Sequence, residues 1–291
     1  MKEEIFESYC EAGRVAAKVL RHGASMVRAG VALLDVAETV EDQILQSGLG
    51  IAFPINISLN ADAAHDTPSP HDDRLFAEGD MVKLDLGVHC DGYIADTALT
   101  IDLGSQPLLV EASQTARDNA IAQVKPGISI GELGAIVQHE IESRGYKPIA
   151  NLTGHGLDRY TLHMGPNVPN IKMNGGAELE ADMVIAIEPF ASTGTGHVSD
   201  RSRIEIYKQI EKKPVRMPAA RKLLKNIEDN NGLPFARRQL ELKKPDLALR
   251  SLCREGILYG FPVLGDILGS YVSQFEHTLI VTEDGCIVTT A

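Results

Sequence analysis

Two apolar runs, Met81-Val-Lys-Leu-Asp-Leu-Gly-Val88 and Tyr93-Ile-Ala-Asp-Thr-Ala-Leu99, decide the fold. They predict strands over Met81–Val88 and Tyr93–Ile101, because apolar and β-branched residues are concentrated there. Asp91-Gly92 lies between the runs, and Asp-Gly in this position is typical of a two-residue hairpin turn. We therefore expect an antiparallel hairpin.

Each predicted strand contains a carboxylate, Asp85 in the first and Asp96 in the second. A two-residue turn would place Gly87 opposite Asp96 and Asp85 opposite Ala98. The two carboxylates would then share one face as diagonal neighbours, about 7–8 Å apart. A loop of odd length or a bulge would place them on opposite faces. From these residues alone, an edge hairpin with solvated carboxylates is as good an interpretation as a functional pair.

Two further acids and one histidine occur in comparable settings. Glu188 follows the apolar run Met183–Ile187, which predicts a short strand, and Glu276 lies within the predicted strand Tyr271–Val281. His155 lies between two glycines. An ionised carboxylate in an apolar strand is unfavourable unless it is paired or bound to a metal ion.

Four clustered carboxylates would carry a charge of −4, which two divalent cations would balance. Oxygen-rich ligation with one imidazole suits Mn, Fe or Co better than a thiolate-type zinc site. Paired metal ions typically activate water and polarise a carbonyl, so these residues predict hydrolysis. His65 and His163 lie in turn-like segments, where neutral imidazoles could bind a substrate carbonyl or stabilise an oxyanion.

The rest of the chain predicts helices on both sides of the hairpin and a helical block near the end. Apolar spacing and capping residues define these helices, which are Glu3–Val27, Leu34–Gln46, Pro107–Gln123, Ser129–Gly145, Ala219–Asp229, Phe235–Leu242 and Leu247–Arg254. The predicted strand Ile287–Thr290 would close a terminal hairpin with Tyr271–Val281.

Composition excludes several classes of protein. The chain has 291 residues and a net charge of −12, which argues against a general nucleic-acid binder. Its four cysteines lie far apart in sequence, so neither a disulfide framework nor a cysteine zinc site is expected. No apolar run is long enough for a membrane helix, and the acidic start does not resemble a secretory signal. We therefore expect a cytoplasmic protein without a membrane partner.

The charge is unevenly distributed along the chain. Residues 201–254 contain 15 basic and 6 acidic residues, a local balance of +9, and the remainder has a balance of −21. The basic segment could be a solvated face, or it could contact RNA. Both interpretations stay open.

Taken together, the motifs resemble those of the type II methionine aminopeptidases, metallopeptidases of the pita-bread fold, over essentially the whole chain. Each matching stretch is short, but all of them occur in the family's order. They are Ala52-Phe-Pro-Ile-Asn-Ile-Ser58, Ala64-His-Asp-Thr-Pro68, Lys83-Leu-Asp-Leu-Gly87, Ile94-Ala-Asp-Thr97, Leu152-Thr-Gly-His-Gly156, Leu162-His163, Ala186-Ile-Glu-Pro-Phe190 and Gln274-Phe-Glu-His-Thr278.

The resemblance implies an α+β fold with a central antiparallel sheet flanked by helices and two pseudo-symmetric halves. It implies a catalytic domain of residues 1–196 and 263–291, interrupted by a small helical, winged-helix-like insertion of residues 197–262. The start of the chain at this domain is similar to the archaeal members of the family.

The resemblance also implies roles for individual residues. The ligands of two divalent ions (Co, Mn, Fe or Zn) would be Asp85, Asp96, His155, Glu188 and Glu276, with Asp96 and Glu276 bridging the ions. His65 would contact the scissile peptide, His163 would stabilise the intermediate, and Glu188 would also shuttle a proton. Phe53, Leu162 and Phe261 would line the methionine pocket, although the family has a Tyr where this chain has Phe261.

The implied activity is removal of the initiator methionine from nascent chains with a small second residue, by hydroxide that the two metal ions activate. The alternative enzyme is a prolidase or aminopeptidase P, which the insertion disfavours. A non-catalytic member that binds RNA or ribosomes is a further alternative, which the complete ligand set disfavours. The expected partners are nascent N-termini and, through residues 201–254, the ribosome. DNA is not an expected partner, and we expect a monomer.

Overall fold

The structure, a computed structural model, describes residues 1–242 and 244–291. Its helices are α1 Glu3–Met26, α2 Leu33–Gln46, α3 Pro107–Ile121, α4 Ile130–Ser143, α5 Pro218–Asn226 and α6 Asp246–Arg254, with short 3-10 helices at Glu228–Asn230 and Arg237–Gln239. Its strands are β1 Gly50–Leu59, β2 Asp62–Ala64, β3 Met81–Cys90, β4 Tyr93–Asp102, β5 Lys147–Pro148, β6 Thr153–Asp158, β7 Thr161–Pro169, β8 Val184–Ile187, β9 Phe190–Ser192, β10 Ser199–Gln209, β11 Phe235–Ala236, β12 Leu258–Gly265, β13 Val272–Gln274, β14 His277–Val281 and β15 Cys286–Val288.

The first half packs two helices on one face of an antiparallel sheet in the order β1-β3-β4. The buried side of α1 includes Ala12, Ala16, Val19 and Leu20, which recur at the spacing of one helix face. These residues share a core with α2 and with the inner residues of β1 and β3. Burial of this apolar face stabilises the arrangement, as the sequence predicted.

The second half repeats this plan with different elements. Helices α3 and α4 share a core with the sheet β15-β14-β8-β6-β7. The predicted start of α4 is confirmed, because Ser129 and Glu132 form a reciprocal capping box. The sheets of the two halves meet where Ala98 of β4 forms an isolated antiparallel bridge with Glu276. The observed architecture is the predicted α+β fold of antiparallel sheets and packed helices.

The β3–β4 hairpin has the predicted register. Gly87 lies opposite Asp96 and Asp85 lies opposite Ala98, with no bulge between β3 and β4. The turn residues Asp91 and Gly92 have φ values of 51° and 92°, as a tight hairpin turn of this kind requires. The two carboxylates therefore lie on one face of the hairpin.

Two predicted elements differ from the structure. Residues 235–242 were expected to be a helix, but Phe235–Ala236 pairs with β10 as strand β11, and only Arg237–Gln239 is helical. The predicted strand Tyr271–Val281 is broken at Phe275-Glu276, because β13 pairs with β9 whereas β14 pairs with β8. Pairing with distant strands overrides the local pattern at both positions.

The basic segment folds around a small core of its own. This core contains apolar residues of α5, α6, β11 and the start of β12, among them Leu223, Phe235 and Leu252. Strand β10 at the start of the segment pairs with β12, which follows the segment, and β12 also pairs with β2 of the first half. The predicted domain bounds 197–262 and the winged-helix likeness stay predictions. Among the described helices, none combines the length and the apolar character needed to cross a bilayer.

Candidate metal and catalytic site

One cavity of about 260 Å³ lies where the two halves meet. All the residues for which the sequence predicted a ligand, catalytic or pocket role line this cavity: Phe53, His65, Asp85, Asp96, His155, Leu162, His163, Glu188, Phe261 and Glu276. They come from positions spread over more than two hundred residues of the chain. The fold therefore brings together every predicted site residue.

Hydrogen bonds between the halves fix the acids at the floor of this cavity. The backbone N–H of Glu276 donates to the carbonyl of Ala98 at 3.0 Å, and the Thr97 hydroxyl donates to the carbonyl of Glu276 at 3.1 Å. The N–H of Asp96 donates to the Thr278 hydroxyl at 2.8 Å. The break between β13 and β14 thus places the Glu276 carboxylate beside that of Asp96.

The floor forms a compact group that we call the carboxylate cluster: Asp85, Asp96, His155, Glu188 and Glu276. One ligand atom each from Asp96, His155 and Glu276 lie within 4.8 Å of one another. Nε2 of His155 lies 3.6 Å from Oδ2 of Asp96 and 3.5 Å from Oε1 of Glu188. Such convergence of carboxylate oxygens and one imidazole nitrogen suits a divalent cation.

The carboxylate cluster lacks a balancing positive charge among the described residues. Burial raises the pKa of Asp85 to about 7. Burial, followed by the neighbouring carboxylates, raises the pKa of Asp96, Glu188 and Glu276 well above the ordinary values. Carboxyls that are buried and crowded together in this way are poorly stabilised as anions by the protein alone.

Unsatisfied oxygens are a second observation that fits a cation-binding site. Within the part of the chain that the structure describes, Oδ1 of Asp85, Oδ1 of Asp96 and Oε1 of Glu276 are buried without a hydrogen-bond donor. Buried polar atoms are normally satisfied. The donor set, the spacing and these oxygens therefore fit divalent metal ions.

The comparisons with known proteins agree with this donor set. The model of the metallopeptidase family M24 matches residues 7–283 of the chain. The chain belongs to metallopeptidase family M24. A methionine aminopeptidase from Archaeoglobus fulgidus is 47% identical over 291 residues, which cover 100% of both chains. By sequence, this M24 peptidase groups with the archaeal methionine aminopeptidases, as the motifs predicted, and divalent metal use is typical of its family.

Solved structures support the fold of this M24 peptidase. The crystal structure of methionine aminopeptidase from Thermotoga maritima has a TM-score of 0.75 at 24% identity and covers 100% of this chain and 98% of that one. The structure of a thermophilic Arx1 has a TM-score of 0.88 at 19% identity and covers 99% of this chain and 91% of that one. The chain therefore has the pita-bread fold.

His65 of this M24 peptidase is held in an unusual backbone conformation. Its φ is 65°, in the left-handed region that few non-glycine residues adopt. Nδ1 of the ring lies 3.2 Å from the carbonyl oxygen of Pro262, and the ring packs edge-on against Phe261 with centroids 5.3 Å apart. Burial lowers the pKa of His65. The ring is thus neutral, with Nδ1–H donating to the carbonyl.

His163 lies at the exposed rim of the cavity. Its ring packs edge-on against His155, with centroids 4.4 Å apart. Desolvation is the largest of the effects that lower the pKa of His163. A neutral ring at this position can donate a hydrogen bond into the cavity.

Apolar side chains form the walls of the cavity. Phe53 packs closely on the hairpin, because a Cβ at Gly87 would lie 2.3 Å from its ring. Leu162 and Phe261 also line the cavity, as predicted. Two further wall residues, Ile206 and Pro234, come from the basic segment. The sequence did not indicate them, because their approach depends on how that segment docks.

Two polar residues of the site were not predicted from the sequence. Gln274 is fully buried, and its amide nitrogen lies 3.4 Å from Oδ2 of Asp85 and 3.5 Å from Oε2 of Glu188. Asn56 lies opposite Asp85 in the β1–β3 pairing and lines the cavity. Both residues lie in motifs that carry the family resemblance. For Gln274, the sequence signal was a polar residue in a predicted strand, two positions before Glu276.

Proposed function

We propose that this protein removes the N-terminal methionine from polypeptides whose second residue is small. The observation that carries the proposal is the convergence of the carboxylate cluster with His65 and His163 in one cavity with apolar walls. The names of the archaeal relatives support methionine as the residue removed.

We propose that Asp85, Asp96, His155, Glu188 and Glu276 hold two divalent ions, with Asp96 and Glu276 shared between them. The convergence of ligand atoms from Asp96, His155 and Glu276 within 4.8 Å of one another supports this sharing. When bound, the ions supply Lewis acidity and an activated water for hydrolysis of the peptide bond. Mn, Fe, Co and Zn all suit ligands of this kind.

The histidines would orient the peptide. Because Nδ1–H of His65 donates to Pro262, its Nε2 has a free lone pair that can accept a hydrogen bond from a substrate N–H. His163, on the rim, would donate to the carbonyl oxygen as negative charge develops there. Glu188 borders the same space and would carry a proton from the attacking water to the leaving nitrogen.

The apolar walls would select the side chain that is removed. Phe53, Leu162 and Phe261 offer aromatic and aliphatic surface, to which an unbranched thioether can adapt. The cavity measures about 260 Å³, which is large enough to admit a side chain as long as that of methionine.

The test is hydrolysis of a Met-Ala-Ser peptide while a divalent ion is titrated into metal-free protein. We expect methionine release that saturates at two ions per chain. Xaa-Pro dipeptides, the substrates of the alternative enzyme, should be cleaved far more slowly. Preferential Xaa-Pro cleavage would support a prolidase, and absence of hydrolysis together with absence of metal binding would support a non-catalytic protein.

The partners of this activity would be nascent N-termini and, through residues 201–254, the ribosome. Part of the basic charge is used internally, since Arg201, Arg203, Arg237 and Arg238 pair with acidic residues. Other basic side chains are exposed, namely Lys212, Arg216, Arg221, Lys222, Lys225, Arg250 and Arg254. Co-sedimentation with ribosomes should weaken steeply as salt rises, and salt-independent or absent co-sedimentation would contradict the contact. The cytoplasmic location and the monomeric state stay predictions.

A further inference from the structure

The segment that follows His65 is held by an ion-pair network that the proposed reaction does not use. This arginine network consists of Arg74, Arg203 and Arg238 with the acids Glu41, Asp66 and Asp72. It lies beside the cavity, and none of its members lines the cavity itself. Its members contact the residues that directly follow His65, so the network can influence the conformation of His65.

Asp66, the residue after His65, has an arginine contact at each of its two carboxylate oxygens. NH1 of Arg74 donates to Oδ2 at 2.6 Å, and Nε of Arg203 lies 3.1 Å from Oδ1. Its carbonyl accepts from the N–H of Ile57 on β1 at 2.7 Å. The carboxylate is almost completely buried, so these contacts leave it little freedom.

Thr67 and Pro68 are held by arginines of the basic segment. NH2 of Arg203 donates to the Thr67 carbonyl at 3.1 Å. NH1 of Arg238 donates to the Thr67 hydroxyl and, at 3.2 Å, to the Pro68 carbonyl. The Thr67 hydroxyl in turn donates to the carbonyl of Ile55 at 2.6 Å.

Arg238 is fixed on its other side as well. Its NH2 donates to Glu41 of α2, and the same carboxylate oxygen accepts from the N–H of Ile55 at 3.1 Å. The Arg238 side chain is only 5% exposed. A planar guanidinium that donates in several fixed directions holds its partners more rigidly than an ammonium group can.

We propose that Arg203 and Arg238 are positioning residues that keep His65 in its left-handed, catalytically oriented conformation. A non-glycine residue with φ of 65° is strained and persists only where its surroundings enforce it. Here the enforcing donors come from β10 and from the 3-10 helix Arg237–Gln239. The basic segment would thus act on catalysis through His65, and this inference rests on the proposed function.

Arg238→Lys tests the proposal, because lysine keeps the charge but loses the planar fork. We expect kcat for Met-Ala-Ser to fall by about 10- to 100-fold, as a shift of about 1 Å in a catalytic group can cause. KM and the number of bound metal ions should be unchanged. Arg237→Lys is the matched control, since Arg237 pairs with Glu205 and Asp246 rather than with residues 65–68. It should retain wild-type kcat.

A double-mutant cycle separates positioning from a general loss of stability. In a His65→Ala background, Arg238→Lys should lower kcat no further, because its effect passes through His65. Additive losses would overturn the proposal. A wild-type kcat for the single variant Arg238→Lys, in which His65 is intact, would also overturn it. If Arg238→Lys does not fold, Thr67→Val decides instead, because it removes the hydroxyl that Arg238 contacts; there, unchanged kcat would overturn the proposal.

The controls also separate this inference from the proposed function. Wild-type protein that binds metal but does not release methionine would refute the proposed function. Wild-type protein that is active while Arg238→Lys and Thr67→Val are equally active would refute only the positioning role.

Discussion

The carboxylate cluster and the arginine network are two groups of buried acids that lie side by side, but they differ in what balances their charge. In the arginine network, hydrogen bonds from Arg74 and Arg203 outweigh burial and hold the pKa of Asp72 far below its ordinary value, whereas burial raises the pKa of Asp66 and Glu41 although each is paired with an arginine. In the carboxylate cluster, burial raises the pKa of Asp85 to about 7, and among the described residues the acids of this cluster form ion-pair contacts only with the imidazole of His155.

This difference separates a structural role from a functional one. A network that contains its own cations is complete in the folded chain and can serve as a rigid support. A cluster without them is suited to bind divalent ions from solution. The same substitution, Asp to Asn, should therefore have opposite consequences in the two groups.

The largest expected effect is on activity in the carboxylate cluster. Asp96→Asn should lower metal-dependent methionine release by about 1000-fold or more, because several kcal/mol of transition-state stabilisation depend on the bound ions. In the metal-free protein its melting temperature should equal or exceed that of the wild type, because one repelling charge is removed. Peptide hydrolysis and thermal unfolding measure the two effects. A metal-free variant that melts well below the wild type would contradict the comparison.

The next largest effect is on stability in the arginine network. Asp72→Asn should lower the free energy of unfolding by about 3 kcal/mol, because it leaves Arg74 and Arg203 without a carboxylate that they both contact. Denaturant unfolding in the presence of a chelator measures this loss. The loss should be the same with and without metal, and a loss that disappears on adding metal would show that the two groups are one unit.

A smaller effect, on metal affinity, is expected at Gln274, which contacts two acids of the carboxylate cluster. Gln274→Leu removes the amide shared by Asp85 and Glu188, so metal affinity should fall by about 10- to 100-fold. Calorimetric titration with Mn²⁺ gives the affinity. Gln138→Leu is the control, because Gln138 is a helix residue that contacts Lys172 and does not line the cavity. Equal Mn²⁺ affinities for the two variants would show that Gln274 does not contribute to metal binding.

The smallest effect concerns Asp266, whose carboxylate accepts hydrogen bonds from hydroxyl and backbone donors. Hydrogen bonds from Ser192, Thr195 and Ile267 lower the pKa of Asp266 to about 2. The folded state therefore favours the ionised form, which contributes about 1–2 kcal/mol of stability above roughly pH 4. This contribution should be lost as pH falls through about 2. Urea unfolding of wild type and Asp266→Asn between neutral and acidic pH should give two stabilities that converge on acidification. A constant difference would contradict the assignment.

Local sequence was sufficient for the hairpin and for placing Asp85 and Asp96 on one face of it. Asp91-Gly92 fixes the turn, and a two-residue turn fixes which residues of β3 and β4 face each other. The register then follows from the period of two along a strand. The same local reasoning gave α1, α2 and the capping box of α4, since amphipathic spacing and capping are properties of adjacent residues.

Local sequence was insufficient where a distant partner decides the conformation. Phe235 and Ala236 have a helix-compatible pattern, but they pair with β10. The break at Phe275-Glu276 arises because β13 and β14 join different sheets. Neither partner can be identified from the pattern of the segment itself.

The sequence by itself determined that this protein contains acids in strand settings, their register on one hairpin and, through its motifs, the family to which it belongs. The tertiary structure decided that the carboxylates meet, that the Gln274 amide contacts two of them, and that Arg203 and Arg238 reach the segment after His65. The physical reason is range. Turn chemistry and strand periodicity act between neighbours in the chain, whereas charge balance and burial depend on side chains that only the complete fold brings together.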